Sequence, residues 1–154
     1  MRKEIFYVLN SGNLAFRGSY TGARTRFFGG LATDEIYLNR SECLARAGNI
    51  DAAMQDLNTL LKTRWKTGTY VELKASNIQE ALRIILSERR KELCFRNIRW
   101  SDLRRLNRDP NFQVTLTRTI NNQVFTLLPN SGKYVLPLDP IETTSGGLEQ
   151  NVRF

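Results

Sequence analysis

The chain has 154 residues, 41% of them hydrophobic and 25% charged, which fits one domain able to bury roughly two thirds of its unfolded surface. That balance excludes a disordered chain, and no apolar run approaches the ~20 residues that a membrane-spanning helix needs. The net charge is +8 and histidine is absent, so zinc ligation through Cys and His is unsupported and a Ser-His or Cys-His nucleophile is excluded within this chain.

A basic chain can face nucleic acid or an anionic surface such as lipopolysaccharide. Here the arginines are spread through periodic segments, many with a carboxylate three or four positions away. That spacing describes solvated helix surfaces better than a nucleic-acid stripe, and no nucleic-acid partner is read from it.

Residues 1–30 stand apart. Met1-Arg2-Lys3 resembles the start of a signal peptide, but Glu4 follows and the apolar stretch Ile5–Leu9 is too short for one, so no export signal is read. The same stretch has strand propensity. Beyond it, Gly12, Gly18, Gly22, Gly29 and Gly30 alternate with Phe16, Tyr20, Phe27 and Phe28 without a helical period. An irregular segment of that length is expected to pack on something else; the chain is read as a fragment in which residues 1–30 lie against missing N-terminal sequence and 31–154 form the C-terminal helical domain.

From Thr33 the helical pattern is clear. Helices are expected at about 34–47, 52–64, 77–95 and 100–107. Thr33 or Asp34 is the expected cap of the first, Gly48-Asn49 its end, and Asp51 the cap of the second. Ala45, Ala47, Ala52 and Ala53 bracket the turn, where close approach leaves no room for large side chains; a three-residue connection makes the pair antiparallel. Lys62–Ser76 is a connector carrying Trp65 and Tyr70. Ser76-x-x-Gln79 and Asn77-x-x-Glu80 both have capping-box spacing. Cys43 and Cys94, beside Leu44 and Leu93, are expected to be buried thiols acting as small hydrophobes.

In Ile84–Arg105 a helical stripe of Leu82, Ile85, Leu86 and Leu93 also contains Arg89. A cation there must snorkel out or meet a carboxylate; Glu88, Glu92 and Asp102 are the nearby candidates, and Asp102 or Glu92 is the expected partner. Asn97 suits the left-handed residue that closes such a helix, and Trp100, Leu103 and Leu106 edge a second short helix, with Trp100 expected in the core. Asp109-Pro110 stops it. Val114 to Leu127 alternates about Asn121-Asn122, which predicts a short hairpin.

The pattern Glu88-Arg89-Arg90-x-Glu92-Leu93-x-Phe95, then Arg99-Trp100-x-Asp102-Leu103-x-Arg105, resembles the C-terminal signature of the SusD/RagB family. The family usually has Glu-Gly where this chain has Arg96-Asn97. The segment Tyr134-x-Leu136-Pro137-Leu138, with Glu142 and Gln150-Asn151, is similar to the family's closing motif. Asp139-Pro140 shifts its second proline, and the motif's position puts the expected natural end at Phe154. Tyr37 to Leu61, with Leu44-x-x-x-Gly48-x-x-x-Ala52-Ala53, resembles a tetratricopeptide repeat, a unit that needs neighbours to bury its face. Asn77–Phe95 with Trp100–Leu106 is read as a second, degenerate pair. The expected fold is mainly α: tetratricopeptide-like helix pairs, irregular loops, one short hairpin and a Pro-rich tail.

The resemblance implies a non-enzymatic nutrient-binding lipoprotein without a cofactor, outward-facing on the outer membrane, with its anchoring segment outside this chain. It would work with a SusC-like TonB-dependent transporter and capture a glycan or a peptide. Glu88, Arg89, Glu92, Arg99, Trp100 and Asp102 would be structural signature residues. Sugars are held by aromatic faces and planar polar groups. Trp65 and Tyr70 can supply these, or Trp65 can simply pack against the end of the helix pair; Phe16 and Tyr20 are weaker candidates. A cytoplasmic tetratricopeptide-like module binding a protein or peptide explains the repeat but not the tail. Glu88 and Glu92, one turn apart, could in principle form a carboxylate pair, but no nucleophile or metal cluster accompanies them, and no enzyme is read from the sequence.

Overall fold

The computed structural model describes residues 6–16 and 28–153. The chain divides into two compact units, Met1–Asn97 and Ile98–Phe154. The described residues are mainly helical, as the periodicity requires, and no helix among them is long and apolar enough to cross a membrane.

The first unit begins with an antiparallel hairpin of β1 (Phe6–Val8) and β2 (Leu14–Phe16), so the expected irregularity of residues 1–30 gives way here to a short ladder. Gly12 turns its loop at φ 80°. Tyr20, Gly18, Gly22 and Phe27 lie outside the described residues.

Helices α1 (Thr33–Arg46) and α2 (Ile50–Lys62) follow. Gly48, at φ 85°, closes α1 in a conformation where a side chain would be strained. Both expected caps are corrected. Ala32 holds the N-cap of α1 without a side-chain bond, because Asp34 is turned into the protein. Asn49, not Asp51, caps α2 by accepting from Ala52 N at 3.3 Å. The helices run antiparallel: Ser41 Oγ donates to Ala53 O at 2.7 Å, and nearby Arg40 grips Asp56 through Nε (2.5 Å) and Nη2 (2.6 Å). Ala45 and Ala53 are fully buried at this approach.

Helix α3 (Ile78–Glu92) adds Ala81, Leu82 and Ile85 to the Leu38, Leu57, Leu60 and Leu61 core. Its start is an Asn77 cap accepting from Glu80 N at 2.9 Å, while Glu80 Oε2 reaches back to the N–H and hydroxyl of Ser76 (2.8 and 2.5 Å). It ends at Glu92, earlier than expected, because both Phe95 and Asn97 take φ 60°. Asn tolerates that region; for Phe it costs on the order of 1–3 kcal/mol, offset by a ring contact with Phe16 at 4.6 Å between centroids.

In the second unit α4 (Arg99–Leu106) leads into a 3₁₀ turn, Pro110–Phe112, capped by Asp109. The predicted hairpin is present as β3 (Leu116–Ile120) and β4 (Gln123–Leu127), paired from Leu116↔Leu127 to Ile120↔Gln123. Asn121 and Asn122 have φ of 49° and 61°, the left-handed pair that a two-residue loop of this twist needs. Asp139 caps α5 (Pro140–Thr144), with Pro140 in its first turn, so the shifted proline starts a helix.

This unit is held largely by side-chain amides. Asn107 is 1% exposed; its Oδ1 accepts from Val114 N (3.0 Å), and its carbonyl accepts from Gln113 Nε2 (3.0 Å) and Asn130 Nδ2 (2.8 Å). Gln150 bonds both backbone groups of Leu138, accepting at 2.8 Å and donating at 3.1 Å, and Asn151 Nδ2 donates to Leu136 O at 2.7 Å. Pro137 between them has no N–H to offer a ladder, so amide side chains supply the pairing.

Two burial expectations are corrected. Cys43 is exposed and Cys94 half-buried, both free: Cys43 lies on the outer side of α1, away from the Leu38–Ala45 stripe. Trp100 is 39% exposed rather than enclosed, with its indole N–H given to Tyr134 O at 3.0 Å and its ring against Tyr134 at 4.9 Å. One face packs while the other stays open, since the N–H requires an acceptor at the unit's edge.

Candidate functional site

The connector after α2 presents the aromatic pair picked out from the sequence. Trp65 is 53% exposed and its ring lies 6.0 Å from that of the half-buried Tyr70, tilted by 50°. Tyr70 is fixed by donating its hydroxyl to Asn58 Oδ1 at 2.5 Å. That oxygen also accepts from Leu73 N (2.9 Å), and Asn58 Nδ2 donates to Leu73 O (2.9 Å). Burial pushes the Tyr70 phenol above its ordinary pKa, opposed by the Leu73 backbone and reinforced by Glu88 and Glu72. The phenol therefore stays a neutral donor at physiological pH.

One signature residue bears directly on this connector. Arg64, next to Trp65, donates Nε to Glu92 Oε1 at 2.7 Å, with the Glu92 side chain only 8% exposed. The connector is thus tied to α2 through Asn58 and to α3 through Glu92. Alongside it, a groove of about 620 Å³ is walled by Gln55, Asn58 and Lys62 from α2 and by Glu72 and Lys74 from the connector. Asn58 belongs to both the groove wall and the Tyr70 anchor. Trp65 and Tyr70 are not among the groove's lining residues, so the aromatic pair is linked to the groove through Asn58; an open indole face can stack on a sugar or a side chain.

The other signature residues of this unit pair with neighbours within the unit. Glu88 pairs with Lys91 one turn on. Arg89 is 5% exposed, donates Nη1 to Asn39 Oδ1 at 2.7 Å and has Nη2 3.6 Å from Glu35 Oε1. Local spacing nominates Glu92 and Asp102 for this role, and the α1 partners lie beyond its reach. Arg96, which replaces the family's usual carboxylate, lies 3.6 Å from the buried Asp34 and 3.8 Å from Glu35. It also donates to Gly30 O at 2.8 Å and stacks on Phe28 at 4.7 Å. No spacing rule joins Arg96 to Asp34, so nothing along the chain signals that pairing.

In the second unit, Arg99 is half-buried in the first turn of α4, and Asp102 is 8% exposed and accepts from Arg105 Nη2 at 3.1 Å. Trp100 packs on Tyr134 as described.

Helix pair, Arg-Trp segment and amide-clamped tail thus occur in the order that the resemblance demands. The chain belongs to the SusD family, whose sequence model matches residues 33–143, well over half its length. It is a family of nutrient-binding proteins, generally non-enzymatic, typically associated with the outer membrane and working with SusC-like transporters. Comparison with curated proteins and with solved structures gives no match.

Proposed function

We propose that the chain forms part of the nutrient-binding component of an outer-membrane uptake system, without catalytic activity of its own. Its partner is a SusC-like TonB-dependent transporter, and its cargo is an oligosaccharide or a peptide. The protein is lipid-anchored and outward-facing. The family match over residues 33–143 carries this reading. The exposed Trp65 beside Tyr70 supports it by offering a stacking face on a connector braced at both ends.

Two measurements test it. The protein, expressed in its native host, should fractionate with outer membranes and co-purify with a TonB-dependent transporter; recovery in the cytoplasmic fraction without one would favour the intracellular repeat module. Calorimetry against an oligosaccharide and peptide panel should then show binding weakened by Trp65→Ala. A loss of about 1 kcal/mol is expected from one aromatic platform. Unchanged affinity would remove Trp65 from the site.

A further inference from the structure

The second unit contains a cavity of about 640 Å³ that the aromatic connector does not use. Ser101, Arg104, Arg105 and Arg108 recur at steps of three and four along α4 and its C-terminal turn, so they share one face. Asn130 and Ser131 line the cavity as well. Arg105 is held by Asp102, through Nε at 3.3 Å and Nη2 at 3.1 Å. Arg104 and Arg108 are exposed and have no carboxylate partner among the described residues.

Two of the lining residues also carry buried, unsatisfied polar atoms. Tyr134 and Asn107 are 4% and 1% exposed, and among the described residues Tyr134 Oη and Asn107 Nδ2 have no hydrogen-bond partner. Buried polar groups are ordinarily paired, so two such atoms at one cavity need an explanation. Both can donate. The exposed guanidinium groups of Arg104 and Arg108 make the cavity mouth a donor-rich site suited to an oxyanion.

We propose that this cavity binds an acidic oligosaccharide, with a uronate carboxylate held between Arg104 and Arg108. The forked guanidinium matches a carboxylate in two-point geometry. The volume lies in the range of small-ligand sites. Ser101, Asn130 and Ser131 offer neutral hydroxyl and amide groups to sugar hydroxyls, whereas Val135 is the one aliphatic side chain among the described lining residues, which favours a hydroxyl-rich ligand over an acidic peptide. This inference rests on the nutrient-binding reading above and narrows its cargo to a charged class.

The test is calorimetry on the whole chain with a uronate trisaccharide, its neutral counterpart, inorganic phosphate and an acidic hexapeptide, at low and at physiological ionic strength. The uronate should bind, and the neutral sugar should bind at least about tenfold more weakly, as loss of charge-assisted hydrogen bonds implies. The double variant Arg104→Gln, Arg108→Gln should weaken uronate binding by about tenfold or more with an unchanged melting temperature. Arg118→Gln, on β3, should leave binding as it was. Tyr134→Phe should leave the melting temperature unchanged, because the hydroxyl has no partner to lose among the described residues.

Equal losses from Arg118→Gln would mean diffuse attraction and overturn the site. Phosphate or the acidic peptide binding as tightly as the uronate would overturn the sugar class. If the neutral sugar binds independently of Arg104 and Arg108 while the uronate gains nothing, this inference falls and the nutrient-binding reading stands. If no oligosaccharide binds, this inference falls, and co-purification with the transporter decides the other separately.

Discussion

In the first unit α1, α2 and α3 bury Leu38, Leu57 and Ile85 completely, with Leu60, Leu61 and Leu82 nearly so. In the second the buried apolar side chains among the described residues are Leu103, Leu106 and Tyr134, and the amides of Asn107, Asn130, Gln150 and Asn151 do the joining. Three helices can close a core because each presents an apolar stripe. Short helices and a largely exposed hairpin cannot, so backbone groups that would otherwise lie unpaired are met by planar side chains. Each unit is therefore fragile in its own way: one to loss of volume or buried charge, the other to loss of a single amide.

The largest effect is expected at Asp34, 2% exposed and 3.6 Å from the similarly buried Arg96. Asp34→Ala removes a buried partner of that cation and should cost about 3–5 kcal/mol in chemical denaturation; a cost below about 1 kcal/mol would show that the first unit rests on its apolar stripes alone. Leu57→Ala, at a position with no exposure, should cost about 2–5 kcal/mol. In the second unit, Asn107→Ala removes the acceptor of Val114 N and should cost about 1–3 kcal/mol. Hydrogen exchange should show the loss at Val114 and leave α1–α3 protected. An Asn107→Ala cost matching that of Leu57→Ala would erase the contrast between the units.

The smallest effect belongs to a fully exposed group. Ser76, through its hydroxyl and its N–H, holds the Glu80 carboxyl below its ordinary value of 4.5. The folded value is therefore below the unfolded one, so the contribution is fully present above about 4.5 and lost as pH falls through the depressed value. Ser76→Ala should reduce the acid sensitivity of α3 slightly, measured by circular dichroism between neutral pH and about pH 3. A neutral-pH loss as large as that of Asn107→Ala would contradict this ranking.

Much of the fold is legible in the sequence because it is local. The α1 and α2 stripes, the Asn77-x-x-Glu80 cap and the Asn121-Asn122 turn each lie within a few residues, where period and dihedral preference act directly. The caps of α1 and α2 fall a residue or two from their expected places, because several residues near each start can cap and tertiary pairing chooses among them. A corner position predicts Trp100 in the core, yet only one of its faces is covered. Trp65 and Tyr70 are legible as an aromatic pair on a connector; what holds them is not.

The helices, the second hairpin and the family are written along the chain, in periodicity, turn residues and motif spacing. Which charges are buried together and which are left open is settled by the folded structure. Arg96 meets Gly30 across 66 residues and Arg64 meets Glu92 across 28, distances at which no local rule links one residue to another. The same holds for Arg104 and Arg108: from sequence they match the other arginines, and their lack of a carboxylate among the described residues emerges only when every neighbour is placed. Pairing depends on proximity in space, and folding, not order along the chain, sets that proximity.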